Sequence, residues 1–261
     1  MNGEKIGLPN LASNCYINAI FQIFLHSKEL GQCLPPGSTP TSLRRDYCEF
    51  AQIGNSVQCD SILFLHYLLD RLQPYHLWQQ EWKGTFWCKR CAHTTPVSAH
   101  TENIWLLYVP LVVEQECEDE NGRVYDFELG QLIHTQLSIE VKKHCDNCKL
   151  NTPTTKTTRI SSFPDNLFIN LQNNKGKCTL VYEDFTITNE LEAKVSEQYF
   201  LKGFVCHLGS SVDHGHFVVY IKDTDGWTLY DDSTIVKVFN IFAVMSSKAN
   251  TVTLLWYVHG K

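Results

Sequence analysis

Residues 7–26 read GLPNLASNCYINAIFQIFLH, a turn-rich segment followed by a strongly apolar one. Gly, Pro, Asn and Ser are typical of a loop, and the apolar residues after Cys15 recur at helical spacing. The sequence therefore predicts a helix that begins at or near Cys15. A cysteine at a helix N-terminus is a candidate nucleophile, because unpaired N–H groups and the helix dipole favour the thiolate. Taken alone, such a cysteine is more often a small buried residue.

The rest of the chain divides into a helical part and a β-rich part. A second helix is predicted from about residue 60 to residue 72, where apolar residues share one side, and residues 35–42, PPGSTPTS, are predicted to be loop. After about residue 80, aromatic and β-branched runs such as LSIEV and NLFINL indicate strands. Helices followed by antiparallel strands predict an α+β architecture without a linker between independent domains.

Composition limits the class of protein. The 261 residues are 43% hydrophobic and 19% charged, which is typical of a folded chain. A formal charge of -6 argues against broad binding to nucleic-acid phosphates. The longest strongly apolar run, residues 104–113, is far shorter than the roughly 18 residues of a membrane span. Because we also see no signal peptide, we expect an intracellular protein, cytoplasmic or nuclear, in a reducing compartment.

Two Cys-x-x-Cys pairs give the strongest metal signal. Each pair can present two thiolates from one tight turn, and four thiolates complete the closed tetrahedral shell of a structural zinc ion. The 53 residues between the pairs exceed the gap of a compact zinc ribbon, so strands must bring the pairs together. Two unrelated pairs of buried thiols, or a redox disulfide, are the alternatives. The four candidate ligands are Cys88, Cys91, Cys145 and Cys148.

A hairpin near the C-terminus carries a second candidate site. FVVYI and WTLYD read as two strands joined by the turn signal of residues 223–226. If Lys222 pairs with Trp227, His216 lies diagonal to Asp231 on one face, within reach of a hydrogen bond. A tighter turn would separate the two side chains unless a β-bulge restores the fit, and the sequence leaves both registers open.

Together these stretches resemble the ubiquitin-specific proteases, which are papain-like cysteine deubiquitinases. Residues 7–19 resemble the family's Cys box, commonly written G-L-x-N-x-G-N-T-C-Y-x-N. Residues 199–233 resemble its His box, in which a Gly-His-aromatic strand precedes a W-x-x-(F/Y)-D-D segment. Residues 58–72 are similar to its Gln-Gln-Asp-Ala-x-Glu-Phe helix, and the cysteine pairs match its zinc-bearing fingers. The resemblance covers nearly the whole chain in the right order.

The resemblance implies one catalytic domain over residues 1–261 with a papain-like fold. We expect a helical thumb over about residues 1–78, zinc-ribbon fingers over about 79–160 and a β-sheet palm over about 161–261. The active site would lie in the cleft where Cys15 meets His216. The fingers would grip the body of the modifier while its extended tail enters the cleft.

Carried over by position, the resemblance makes Cys15 the nucleophile, His216 the general base and later acid, and Asp231 the residue that orients His216. Asn10 would donate its side-chain amide to the oxyanion, beside backbone N–H groups at the helix start. Asp232 could share the orienting role and ranks second. The zinc ion would be structural and would take no part in catalysis.

Two further residues are candidates for contacts with the substrate tail, Gln58 and Asp60. Their alternative roles are a solvated glutamine and a helix cap. The chain also departs from the family pattern, because residues 12–14 read Ala-Ser-Asn where the family has Gly-Asn-Thr. The loop loses a glycine, so we expect it to be stiffer or reshaped.

The implied function is that of a thiol-dependent isopeptidase, a hydrolase that removes ubiquitin from protein conjugates by Cys-His-Asp catalysis. One alternative is a protease for another ubiquitin-like modifier, such as an interferon-induced one. Another is a weakly active or inactive ubiquitin-binding module, suggested by the altered loop before Cys15. A zinc-ribbon nucleic-acid protein is disfavoured by the acidic charge. The expected partners are ubiquitin or a ubiquitin-like protein and its conjugates.

Overall fold

The structure is a computed structural model that describes residues 5–11, 13–54, 57–110, 116–119, 122–172, 179–189, 195–211, 214–248 and 251–260. These residues form six α-helices: α1 (Cys15–His26), α2 (Lys28–Cys33), α3 (Pro40–Ala51), α4 (Ser61–Leu69), α5 (Leu129–Leu137) and α6 (Ile241–Lys248). The same residues form sixteen strands: β1 (Gln80–Cys88), β2 (Thr94–Glu102), β3 (Trp105–Tyr108), β4 (Cys117–Glu118), β5 (Val124–Tyr125), β6 (Phe127–Glu128), β7 (Ser138–Cys145), β8 (Leu150–Ser162), β9 (Asn166–Gln172), β10 (Thr179–Leu180), β11 (Asp184–Asn189), β12 (Val195–Ser211), β13 (His214–Asp223), β14 (Gly226–Asp231), β15 (Thr234–Val238) and β16 (Val252–His259). The predicted α+β class is confirmed.

The helical part contains two helices that the sequence did not predict, α2 and α3. Residues 35–42 were expected to be loop, but α3 begins at Pro40. Thr39 and Ser42 cap the helix reciprocally through their side chains and backbone N–H groups. Pro40 stands in the first turn, where the missing N–H has no helical partner to lose. These residues therefore start a helix.

Two main sheets follow. The smaller has four strands in the order β2-β1-β8-β7, and all of its pairings are antiparallel. The larger runs β15-β14-β13-β12-β16-β9-β3, with β11 also paired to β12. β3 follows β2 along the chain but belongs to the larger sheet, where it pairs in parallel with β9. Two further two-stranded pairings are β10 with β6 and β4 with β5.

The core lies on both faces of the larger sheet. Phe217 and Val219 of β13 join a cluster that contains the apolar faces of α1 and α4. Val218 and Tyr220 of the same strand join a second cluster that contains residues of α5 and α6. Because both faces are buried, this strand is continuously apolar in sequence. The strand that contains the candidate residue His216 is thus packed from both sides.

None of the helices in the described part of the chain combines the length and the apolar character needed to cross a bilayer.

Candidate active site

Cys15 is the first residue of α1, as the sequence predicted, and it is 3% exposed. The helix behind it is buried along most of its length and packs against β13, the strand that carries His216. Folding therefore brings together two residues about 200 positions apart. The thiol stands at the end of the helix where the backbone N–H groups have no partner within the helix and the dipole is positive.

His216 and Asp231 are hydrogen-bonded across the hairpin. Lys222 pairs with Trp227, which is the register that sets the two side chains on one face. Nε2 of His216 lies 2.6 Å from Oδ1 of Asp231. Because a carboxylate only accepts, Nε2 must carry the proton in this bond. Nδ1 is therefore the ring nitrogen left for Cys15.

The environment favours the protonated form of His216. A hydrogen bond with Cys15, followed by the hydrogen bond to Asp231 and its charge, raises the pKa of His216 to about 9 against the opposing effect of burial. A histidine with this pKa keeps at neutral pH a proton taken from the thiol. His216 is therefore placed to accept the proton of the Cys15 thiol and then to act as an adjacent general acid.

Asp232 lies beside the pair but has other partners. Its Oδ2 is 3.9 Å from Nε2 of His216, whereas its Oδ1 accepts a hydrogen bond of 2.8 Å from the Asn18 side chain. Its backbone oxygen accepts from the N–H of Leu8, and Asn18 also donates to the Leu8 carbonyl. Asp232 therefore ties the hairpin to α1 and to the N-terminal segment, and Asp231 is the closer carboxylate.

Asn18 adjoins the candidate site through Asp232 and was not predicted from the sequence. It is 2% exposed, although the helix around it is apolar. A polar residue one turn after Cys15 on the buried side of the helix was a usable signal, because buried polar groups need partners.

Asn10 lies in the loop before α1 and is exposed. Its Oδ1 accepts a hydrogen bond of 2.7 Å from the backbone N–H of Asn14. The side-chain NH₂ is then the group that Asn10 can offer to a ligand. Ala12, whose replacement of glycine was expected to reshape the loop, lies outside the described residues. Ser13 has a left-handed backbone, with φ of 67°.

Gln58 spans the cleft between the helices and the large sheet. Its Nε2 donates to the carbonyl of Gly215 at 2.5 Å and lies 4.0 Å from Sγ of Cys15. Gln58 therefore contacts both sides of the candidate site. Asp60 instead accepts a hydrogen bond of 2.6 Å from the N–H of Ile62 and caps α4, the second of the two roles open to it from sequence.

The two cysteine pairs come together at the end of the small sheet. The turn after β1 carries one pair and the turn between β7 and β8 carries the other. All four Sγ atoms lie within 4.8 Å of one another, and the separations across the pairs include 3.9 Å and 3.7 Å. Four sulfurs at about 2.3 Å from a tetrahedral zinc ion would stand roughly 3.8 Å apart. The four thiols could therefore hold one metal ion.

Comparison with known proteins shows the family to which this chain belongs. The sequence model of the family described as ubiquitin carboxyl-terminal hydrolase matches residues 32–257. The chain belongs to this family. The match confirms the resemblance found in the sequence. Because it begins after α1, the position of Cys15 rests on the geometry above.

Individual ubiquitin carboxyl-terminal hydrolases show the same relationship. Hydrolase 13 of Saccharomyces cerevisiae is 28% identical over 106 residues, which are 36% of this chain and 14% of that protein. The 17-like protein C of Mus musculus is 23% identical over 316 aligned positions, which cover 98% of this chain and 55% of that protein. The alignments thus cover between 14% and 55% of the length of these two curated relatives.

Two solved structures have the same fold as this chain. A chain of the SAGA DUB module of Ubp8, Sgf11, Sus1 and Sgf73 bound to monoubiquitin has a TM-score of 0.76 at 14% identity, over 98% of this chain and 69% of that one. The same module bound to ubiquitin aldehyde gives a TM-score of 0.72 at 14% identity, over 98% and 70%.

Proposed function

We propose that the chain is a thiol-dependent isopeptidase that removes ubiquitin from protein conjugates. The observation that carries the proposal is the line from Cys15 at the start of α1 to His216, whose Nε2 lies 2.6 Å from Asp231. A thiol, an imidazole and an orienting carboxylate in this order are the groups that acyl transfer from an amide requires. Membership of the ubiquitin carboxyl-terminal hydrolase family supplies the substrate class.

The residues divide the reaction in this way. Nδ1 of His216 takes the thiol proton, and the thiolate of Cys15 attacks the carbonyl of the C-terminal glycine of ubiquitin. The imidazolium then gives its proton to the departing lysine amine, which leaves a thioester on Cys15. His216 next takes a proton from water as the water attacks the thioester, and it returns that proton to the sulfur. Asp231 holds the ring in the tautomer and orientation that both halves need.

The oxyanion that forms on the carbonyl is stabilised at the start of α1. The side-chain NH₂ of Asn10, whose oxygen is fixed by the N–H of Asn14, is one donor. Backbone N–H groups of the first turn of α1 are the others, since the residue before Cys15 makes no side-chain cap there. Donors held in place before the reaction cost no reorganisation when the charge develops.

Gln58 and Asp60 contact the tail of the modifier. Gln58 already donates to the carbonyl oxygen of Gly215. An extended peptide in the cleft can donate one of its own N–H groups to the same oxygen, which brings the peptide next to Gln58. Asp60 uses Oδ1 as the cap of α4, so its second oxygen and its negative charge are what it can offer to a basic tail.

The four clustered cysteines hold a structural zinc ion. The sulfur separations fit a tetrahedral shell, and four protein ligands leave no open position for a substrate. Bound zinc would cross-link the two turns of the small sheet and supply no chemistry to Cys15. None of the ten described cysteines is in a disulfide, which fits the reducing intracellular compartment that we propose.

The proposal is tested by hydrolysis of a fluorogenic amide at the C-terminus of ubiquitin, beside the same amide on a panel of ubiquitin-like modifiers. We expect turnover of the ubiquitin substrate and cleavage of a ubiquitin–lysine isopeptide. If another modifier alone is cleaved, the substrate assignment is wrong. If the folded chain cleaves none of them, the isopeptidase assignment is wrong.

The pH dependence of kcat/KM should reflect His216. Since its pKa is raised to about 9, the proton that the leaving amine needs is present below that pH and lost above it. We expect a fall in activity near pH 9. Asp231→Asn removes the charge that helps to raise this pKa, so the fall should move to lower pH, toward the ordinary histidine value of about 6.5. An Asp231→Asn profile that falls at the same pH as the parent would contradict the assigned role of Asp231.

Gly215 leaves no room for a side chain next to His216. A Cβ there would lie 2.2 Å from Nε2 of His207 and 2.9 Å from the carbonyl oxygen of Leu208. We expect Gly215→Ala to displace the strand and lower kcat/KM by about tenfold or more, because small misplacements of a catalytic group are costly. Gly130→Ala in α5 is the matched control, since its Cβ would meet nothing closer than 3.4 Å. Equal activity of the two variants would show that β13 has freedom that the structure does not indicate.

A further inference from the structure

Asn14, the residue before α1, does not cap the helix in the way that asparagine usually does. Asparagine is among the preferred N-cap residues, because its side-chain oxygen accepts from an N–H of the first turn. Asn14 precedes α1, is 1% exposed and makes no such bond. Its backbone lies in the helical region, with φ of -84° and ψ of 0°, rather than in the extended region usual for a cap. Another group must hold this side chain.

That group is Arg44 of α3, which is 4% exposed. Its Nη1 donates to Oδ1 of Asn14 at 2.5 Å and lies 3.3 Å from the carbonyl oxygen of Leu11. The two acceptors lie on either side of Ser13, the residue with φ of 67°. A left-handed backbone at a non-glycine residue is costly and persists only where its surroundings fix it. Arg44 is placed to fix it.

We propose that Arg44 is a positioning residue for the oxyanion site, an inference that rests on the function proposed above. Arg44 holds the loop in its strained form and keeps the side chain of Asn14 away from the start of α1. The first-turn N–H groups then remain open for the carbonyl oxygen of the substrate. The N–H of Asn14 meanwhile stays on Asn10, which fixes the other donor.

Without the guanidinium, the loop is free to relax. Ser13 can return to an ordinary backbone conformation, and Asn14 can extend and cap α1 as asparagine normally does. A capped helix has fewer free N–H groups to offer. Arg44 thus acts on the transition state through Asn14, and it touches neither the substrate nor the reacting atoms.

The test uses Arg44→Met in the full chain with a ubiquitin C-terminal amide. We expect kcat to fall by between tenfold and a hundredfold, less than the roughly 10²–10³-fold that follows direct loss of an oxyanion donor. KM should change by less than about threefold, because binding of the modifier is not affected. Arg44→Lys, which keeps the buried charge, provides a second variant if Arg44→Met does not fold.

Second-site changes separate this role from simple stabilisation. Adding Ser13→Gly removes the cost of the left-handed backbone, and adding Asn14→Ala removes the side chain that would cap α1. We expect either change to restore kcat of the Arg44 variant by at least about fivefold. The control Ser38→Gly, in the loop before α3, should restore nothing, because Ser38 hydrogen-bonds only within that loop in the described contacts. If neither change restores kcat, the proposal is wrong.

A crystal structure of the Arg44→Met protein gives an answer that needs no activity. We expect Oδ1 of Asn14 within about 3.2 Å of an N–H in the first turn of α1. An unchanged loop would overturn the role of Arg44. Absence of turnover by the parent protein would instead contradict the isopeptidase assignment, so the two failures are distinct.

Discussion

Replacement of Cys15 by serine should lower kcat for cleavage of a ubiquitin C-terminal amide by about four orders of magnitude or more. The pKa of His216 is raised to about 9, so its imidazole keeps a proton that it takes from a thiol. A serine hydroxyl at the same position is a far weaker acid than a thiol, so it does not give the nucleophile. Binding of ubiquitin should persist, because the change replaces one sulfur by oxygen at a residue that is 3% exposed.

A matched cysteine makes this measurement specific. Cys33 is a half-buried free thiol on α2, and Cys33→Ser should leave kcat unchanged. His216→Ala should cost about as much as Cys15→Ser, and the double variant should be no worse than either single one, since the two residues act as a unit. Hydrolysis retained by Cys15→Ser would show that another residue is the nucleophile.

Removal of the metal should unfold the small sheet and spare the start of α1. Structural zinc contributes roughly 10–16 kcal/mol in zinc-finger peptides at neutral pH, as much as the whole stability of a typical domain. The thiol cluster joins the turns of β1 and of β7–β8, so its loss frees the far end of that sheet. We expect one zinc per chain, and Cys148→Ala or a strong chelator should release it.

Hydrogen exchange can locate the effect. Amides of β1, β2, β7 and β8 should lose protection on metal removal, whereas those of α1, which packs on β13 of the larger sheet, should keep theirs. Cys117→Ala is the control, because Cys117 lies outside the thiol cluster. A small sheet that stays fully protected after the metal is gone would contradict a structural role.

The sequence was informative where a feature depends on neighbours along the chain. The helix that begins at Cys15 follows from apolar spacing after a loop, and the structure has it there. The sequence of the hairpin allowed two registers, and only one of them sets His216 near Asp231 without a β-bulge. The structure has the one with Thr224 and Asp225 as loop, because Asp223 accepts from the N–H of Asp225 and Gly226 takes a φ of 104°. These interactions are local, yet their balance was not evident from residue types alone.

Features that depend on distant partners could not be predicted. Arg44 meets Asn14 across 30 positions, and Asn18 meets Asp232 across 214. Nothing in the residues around α3 indicates that its arginine would be buried beside the loop before Cys15. The parallel pairing of β3 with β9 is likewise a choice between distant edges. Such contacts are selected by the packing of whole elements and carry no local signal.

Ubiquitin with an electrophile in place of its C-terminal carboxylate tests the central claim most directly. Mass spectrometry after digestion should show one ubiquitin adduct on Cys15, with none on the other cysteines and none after Cys15→Ser. An adduct on a different cysteine, or no adduct with a chain shown to be folded, would contradict the assignment of Cys15 as the residue that attacks the C-terminus of ubiquitin.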